Sequence, residues 1–383
     1  MTTWNSKGLS DEQVIEALKN VENGSSLREQ SRLLDCNKSN LIRRRDSLIR
    51  RGLWKPSRDA ARLIPEPYAV KRRSQMLDAD GNLKLEWLIS EPDKERLAEM
   101  MRAAIEALKS EIVPTHATPR PEIKFNGDLL NLYVLTDYHL GMFSWHEETG
   151  ADWDMKIAEQ TLNDWVDAAV ASSPNAKTAV LANIGDFLHW DGMDAVTPAS
   201  KHVLDADTRF QKLVRVAIRM IRNCISKLLA KYDNVYVIMA DANHDPASEA
   251  WLREMFAVFY EHEPRVTVDT TADTYYCYEH GLTSLFFHHG HKRKPANIDT
   301  VFAAKFREVF GRTKYSYAHM GHLHSIDVKE TNLMLVEQHR TLAAPDAYAS
   351  RGGWISGRDA KVITYHKDYG KVAESVISID MLK

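Results

Sequence analysis

Apolar positions recur with a helical period along the first fifty residues. Val14, Ile15, Leu18 and Val21 fall on one face, three and four residues apart, which predicts an amphipathic helix. Ser10 precedes it as an N-cap, and Asp11 and Glu12 fill the first turn, where the helix dipole favours carboxylates. Asn23-Gly24 breaks this helix. Ser26 caps a second helix, with Glu29 three residues on as in a capping box and Leu27, Leu33 and Leu34 as its apolar residues. After a tight turn at Asp35-Cys36-Asn37, residues 38–51 read as a third helix. Its inward residues are Leu41, Ile42, Leu48 and Ile49, and Gly52 stops it. The stretch 70–90 alternates around Asp80-Gly81, a favoured hairpin turn. A helix is expected over 92–112, from Pro92 through Leu97 and Ile105 to Ile112. Pro114, Pro119 and Pro121 then mark a stiff linker.

Beyond residue 127 the period changes. Short apolar runs at 129–136, 178–184, 235–239, 284–288 and 315–318 predict strands, with helices between them at about 155–172, 204–231, 248–261 and 298–311. Such alternation gives a layered α/β architecture. After Gly321 the pattern turns to strands at 325–331, 333–340, 361–366 and 371–379, expected to form the second sheet of a sandwich. The divisions expected are 1–90, a linker region 91–126, and 127–383. No internal repeat or low-complexity tract interrupts them.

Each of five strands is followed by a cluster of metal-binding side chains. In order they read Asp137-x-His139, Gly185-Asp186, Asn243-His244-Asp245, His289-Gly290 and Gly321-His322-x-His324. Any one of these residues alone would more often be an ordinary surface or core residue. Five clusters at successive strand ends are another matter, because strand ends of α/β sheets are where sites collect. A two-metal site needs a bridging ligand with two oxygens, and Asp186 suits that role. Imidazoles, a carboxylate and an amide oxygen complete two adjacent shells, which clamp a phosphate and activate water. Mixed donors of this kind suit Mn, Fe or Zn better than Ca or Mg. His244, next to Asn243, is placed to hand a proton to the leaving oxygen.

Taken together these motifs resemble the calcineurin-like metallophosphoesterases, over about residues 127–340. Asp137-Tyr138-His139-Leu140-Gly141 matches the first motif and Gly185-Asp186-Phe187-Leu188-His189 the second. Ala242-Asn243-His244-Asp245 matches the third, and His289-Gly290 and Gly321-His322-Leu323-His324 supply the last two. The resemblance implies a four-layer α/β/β/α sandwich. It also implies two divalent ions, with Mn in first place and Fe, Zn, Ni or Mg as alternatives. Asp137, His139, Asp186 and His324 would hold one ion; Asp186, Asn243, His289 and His322 the other. His244 would be the general acid, oriented by Asp245. Two departures stand out. Ala242 replaces the family's usual Gly, which tolerates positive φ more freely. His189 stands where the second motif often has Asp. A His there resembles the nuclease branch, which includes the nuclease subunits of double-strand-break repair complexes, and implies a phosphate-positioning role. Of the run His288-His289-Gly290-His291, His289 is the expected ligand because it directly precedes Gly.

Charge adds a second theme. The net charge of −3 over 383 residues divides into +7 over residues 1–75 and −10 over the remainder. A basic segment on an acidic body suggests that the segment meets a polyanion. The third helix, rich in Lys38, Arg43, Arg44, Arg45, Arg50 and Arg51, resembles the recognition helix of a winged helix-turn-helix domain, with 70–90 as wing or adjoining hairpin. Lys38, Ser39, Asn40, Arg43, Arg44 and Ser47 are the expected exposed DNA contacts. The other reading is a small helical bundle for oligomerisation or a protein partner. Loop 340–360 carries Arg351, suited to phosphate, and Trp354, suited to stacking on a base; a packed surface loop is its alternative. Cys36, Cys224 and Cys277 share no metal spacing. The start lacks an apolar signal core and no run reaches membrane length, so a cytoplasmic protein is expected. The reading that follows is a DNA-directed, two-metal phosphodiesterase whose architecture resembles phage and prophage proteins. A phosphatase or cyclic-nucleotide or other small-molecule phosphodiesterase, and a DNA-binding regulator with a non-catalytic domain, remain as alternatives.

Overall fold

The computed structural model describes residues 9–22, 25–51, 53–54, 68–78, 83–92, 119, 124–199 and 201–382. The chain divides into two compact units, 1–103 and 104–383.

In the first unit, α1 (Asp11–Glu22), α2 (Leu27–Leu33) and α3 (Lys38–Arg50) enclose a core of Val14, Leu18, Leu27, Cys36, Leu41, Leu48 and Trp54. Ser10 and Gln13 form a reciprocal capping box, Ser10 N–H donating to Gln13 Oε1 at 2.9 Å and Gln13 N–H to Ser10 Oγ at 3.2 Å. Ser26 caps α2 as expected, accepting from Glu29 N–H at 3.1 Å, but the Glu29 carboxylate turns to Ser25 Oγ instead of closing a box. Leu33 is exposed, not inward. An antiparallel hairpin of β1 (Tyr68–Leu77) and β2 (Leu83–Pro92) follows, pairing Gln75 with Glu86. Its Asp80-Gly81 turn, Asn23-Gly24, Gly52, the helix expected at 92–112 beyond Pro92, and Pro114 and Pro121 of the linker lie outside the described residues.

The second unit holds two sheets. One runs β13-β12-β3-β4-β5-β6, from β3 (Asn126–Leu135), β4 (Ala176–Asn183), β5 (Asn234–Met239), β6 (Val266–Val268), β12 (Asp359–His366) and β13 (Gly370–Ser378). The other runs β10-β11-β9-β8-β7, from β7 (Tyr276–His280), β8 (Thr283–His288), β9 (Tyr315–Met320), β10 (Asp327–Glu330) and β11 (Leu335–Gln338). Strand alternation assigns the layers. On β3, Leu130, Leu132 and Val134 face a core shared with Leu285 and Phe287 of β8 and Ile363 and Tyr365 of β12. After β3 the chain makes a single helical turn, α4 (His146–Thr149). Tyr133 and Leu135 of β3 face the opposite way, onto α5 (Met155–Ser172), α6 (Phe210–Lys231) and α7 (Pro246–Phe259). Phe286 of β8 points outward onto Ile298 and Phe302, at α8 (Asp299–Lys305) and α9 (Arg307–Arg312). The order of layers is therefore α/β/β/α.

Three details differ from the sequence reading. The terminal strands β12 and β13 join the first sheet, not the second. β12 pairs antiparallel with β3 and covers an edge that would otherwise be open. The helix expected at 298–311 breaks at Phe306 (φ −109°, ψ 41°), whose ring lies 5.7 Å from Phe286. The helix expected from 204 begins at Phe210, because the residues before it bond elsewhere: Leu204 N–H to Ala195 O, and Asp207 N–H to Gly141 O. The short strands β6 and β7 are not among those expected from the sequence.

Candidate metal centre

β3, β4 and β5 are mutually parallel, as are β8 and β9, and each of the five motifs follows the C-terminal end of one of these strands. Six of the seven candidate ligands meet in two groups of converging donors: Asp137, His139 and His324 in one, Asp186, His289 and His322 in the other. In the first, His324 Nε2 lies 3.2 Å from both His139 Nε2 and Asp137 Oδ1. In the second, His289 Nε2 lies 3.1 Å from both Asp186 Oδ2 and Asn243 Oδ1, which brings in the seventh. His289 Nε2 is 3.9 Å from Asp137 Oδ1, so the groups adjoin. Each draws on both sheets: Asp137, His139, Asp186 and Asn243 from the six-stranded one, His289, His322 and His324 from the five-stranded one.

These spacings fit metal ions. Donors on neighbouring vertices around an ion with bonds of about 2.1 Å stand roughly 3.0–3.4 Å apart. Charge points the same way. Burial works against ionising Asp137 and Asp186, yet His324 and His289 hold the Asp137 carboxyl, and His289 with His244 and His139 the Asp186 carboxyl, below the usual carboxylate range. Burial also opposes a charge on His289, but Asp186 and Asp137 draw it up to about 9. Two buried carboxylates thus call for cations, and divalent ions would displace the protons that serve here.

The backbone is strained where the candidate ligands sit. Asp137 (φ 53°), His139 (46°), Asp186 (52°), His322 (77°) and His324 (52°) are left-handed; among the other described non-glycine residues only Asp35 and Lys201 are. Each such residue costs about 1–3 kcal/mol, so the surroundings must hold it. Thr341 Oγ1 donates to Asp137 O at 2.7 Å. Thr136 Oγ1 donates to Asp137 Oδ2 at 2.6 Å, and His322 N–H to the same oxygen at 2.8 Å. Gly321 has no room for a side chain, since a Cβ would run into Thr136 Oγ1. Ala242 keeps a negative φ and is buried. Gly185, on the loop after β4, has φ 95°, and a Cβ added there would come within 2.5 Å of Ala242 Cβ on the loop after β5.

His244 Nδ1 lies 2.8 Å from His189 O. A carbonyl only accepts, so Nδ1 carries a proton and Nε2 is left to exchange one. This differs from the expected orientation by Asp245, whose Oδ2 accepts from Leu188 N–H at 2.7 Å. Asp245 is buried beside Glu249, and burial together with that neighbour raises its carboxyl; Glu249 is itself pushed up by burial, to about 8. His189 is buried, its Nδ1 3.2 Å from His139 Nδ1, and burial and His244 press it down to about 3. It stands behind a ligand. His288 turns away, Nδ1 accepting from Gly290 N–H at 2.9 Å. Thr136, Thr341 and Glu249 escaped the sequence reading. Thr136 adjoins a motif, whereas Thr341 and Glu249 lie outside all of them.

A further donor group, His319, Glu337 and His339, is buried. Lys361 Nζ lies 2.5 Å from Glu337 Oε1 and takes the place of a cation there, making this an internal ion-pair network.

Of the helix α3 candidates, Ser39 and Arg43 are exposed, and Lys38, Asn40, Arg44 and Ser47 are half-buried. Arg44 turns back on its own unit, donating to Asp11 Oδ1 at 2.7 Å and Leu9 O at 3.0 Å. Arg51 also pairs with Asp11. No described helix is long and apolar enough to cross a membrane. Cys36 and Cys224 are buried and Cys277 half-buried, all unpaired.

No protein-family model and no curated protein matches the chain. Solved structures similar to it include an archaeal phosphodiesterase, at 13% identity and TM-score 0.34, over 64% of this chain and 99% of that one. They also include a "predicted phosphoesterase" from Streptococcus pneumoniae TIGR4, at 12% and 0.28, over 65% and 98%. Vps29 from Entamoeba histolytica complexed with zinc stands at 9% and 0.28, over 66% and 99%. Scores this low carry no weight for function, which is argued from the centre itself.

Proposed function

We propose that this chain is a two-metal phosphodiesterase of the calcineurin-like metallophosphoesterase type, and that its substrate is DNA. The observation that carries the reading is the pair of adjoining donor groups with His244 beside them. Asp137, His139, Asp186 and His324 would hold one ion, and Asp186, Asn243, His289 and His322 the other, with Asp186 shared. The ions would neutralise phosphate charge and activate the attacking water. The chain's own residues do the rest. Asp186 sets the spacing of the two groups. His139 is backed by His189, one Nδ1 donating to the other, so that its Nε2 faces the centre. His244, held through Nδ1, exchanges its proton at Nε2 and protonates the departing alkoxide. The basic first unit supports DNA as the substrate, with α3 supplying phosphate contacts from Arg43 and Lys38. The purified protein, loaded with Mn, is to be assayed against single-stranded DNA, duplex DNA, RNA and a chromogenic diester. Release of nitrophenolate with no cleavage of any polynucleotide would leave the phosphodiesterase and remove DNA. No hydrolysis at all would remove both.

A further inference from the structure

Two features flank the centre on different loops. The first follows the ligand His289. The chain passes through Gly290 to His291, whose ring lies 5.5 Å from that of His289, and continues directly as Lys292-Arg293-Lys294. All three are exposed, and none enters an ion pair among the described residues.

The second lies on the loop that holds Asp137. Thr341 grips the Asp137 carbonyl, and Pro345 O accepts from Ser144 Oγ at 2.7 Å. The loop then forms α10 (Ala347–Gly352). Ser350 Oγ donates to Glu148 O at 2.9 Å, and Arg351 pairs with the Glu148 carboxylate at 2.6 Å. These bonds fix α10 against α4, on the segment that leaves His139. Tyr348 of α10 and Trp354 just beyond it meet edge to face, with centroids 4.9 Å apart, and they are 72% and 59% exposed. Phe143 and Trp145 on the neighbouring segment are also about half exposed. Scattered exposed apolar residues need no explanation, but a group of aromatic rings does.

We propose that these features form a subsite for single-stranded DNA, with backbone phosphates along Lys292, Arg293 and Lys294 and bases stacked on Tyr348 and Trp354. A cationic track combined with aromatic platforms is how single strands are held without sequence preference. A duplex keeps its bases inside the stack and cannot use the rings. A small diester or a monoester would use neither feature. The inference rests on the phosphodiesterase reading and deepens it.

The test measures binding of a fluorescein-labelled oligothymidylate, and of the duplex it forms with oligoadenylate, to the full chain in chelator, so that no cleavage intervenes. Tyr348→Ala and Trp354→Ala should each weaken single-strand binding by roughly 5–150-fold and leave the duplex little affected. Lys292→Ala, Arg293→Ala and Lys294→Ala together should flatten the salt dependence by about 0.7 in log–log slope for each phosphate no longer neutralised. Loss of oligonucleotide cleavage should appear in KM. Chromogenic diester turnover reports the metal centre separately: absence of turnover in the parent protein overturns the phosphodiesterase reading. Equal loss on both substrates in the variants means damage to the centre and overturns the subsite. Unchanged single-strand affinity in both sets of variants, or equal losses on duplex and single strand, overturns it as well.

Discussion

The backbone N–H of His244 donates to Oδ1 of Asp186 at 2.8 Å, so the proposed proton donor is registered against the proposed bridging carboxylate through its main chain. With His244 Nδ1 resting on His189 O, both anchors of this residue lie on the loop after β4. The side chain that would exchange the proton and the one that would span the ions therefore move together.

Asp186→Asn should lose metal and turnover together, because Asn offers one oxygen where a bridge needs two. Elemental analysis after dialysis against Mn should give two ions per chain in the parent protein and a value near none in the variant. A metal-replete, active variant would exclude bridging.

His244→Asn should retain metal and lose about 10²–10⁴-fold in kcat on a diester with an alkoxide leaving group. The loss should shrink for nitrophenolate, which departs without a proton. Equal losses on both substrates would assign His244 to phosphate positioning.

Thr136→Val removes the donor to Asp137 Oδ2 while nearly preserving shape. Metal affinity should fall by about 10–100-fold, the usual effect of losing a group that orients a ligand. Calorimetric titration with Mn measures it, and unchanged affinity would show that the hydrogen bond is structural only.

Much of this centre was legible because its chemistry is local in sequence. The members of Asp137-x-His139 and of His322-x-His324 are separated by one residue, and each pair follows a short apolar run of strand length. Long helices with clear periodicity were equally plain, and α5 spans the residues expected. What escaped was set by distant partners. Nothing near Thr341 announces that it supports Asp137, 204 residues away in sequence. Strands β12 and β13 read correctly as strands, but alternation does not say which sheet a strand joins. That choice depends on β3 having an open edge. The resemblance implied Asp245 as the group that orients His244; the atom that His244 Nδ1 meets is the backbone carbonyl of His189, which no side-chain motif can reveal.

Acid should destabilise the protein through the buried network between the sheets. Burial lowers His339 to about 4, against an ordinary 6.5, despite the opposing charge of Glu337. Its folded form binds fewer protons than its unfolded form. The stability that it contributes is therefore complete above pH 6.5 and is lost as pH falls towards 4, with a slope approaching about one proton. Glu337, held down to about 2 against burial by His339, His319 and Lys361, extends the loss below pH 4.5. Urea midpoints across pH 4–7 measure this, and His339→Gln should flatten the upper window. A parent protein with no slope there would refute the assignment.

In the first unit, Arg43→Ala with Lys38→Ala should weaken duplex DNA binding and lower the salt slope by about 0.9 for each phosphate these side chains neutralise. Arg44→Ala should act mainly through its ion pair with Asp11, a partly exposed contact that contributes little in water. Salt-dependent binding and thermal melting separate the two effects. A folded Arg43/Lys38 variant with unaltered affinity would point α3 towards a protein partner.

Because each donor group takes side chains from both sheets, the spacing between ligands is also a gauge of how the two sheets lie on one another. An ion held by these residues would tie the two sheets together at the C-terminal ends of β3, β4, β5, β8 and β9. Any change that lets one sheet slide on the other, such as hollowing the shared core at Leu132 or Phe287, should blunt metal affinity from a distance. Loading the ions should slow hydrogen exchange along β3 and β8, including residues far from any ligand.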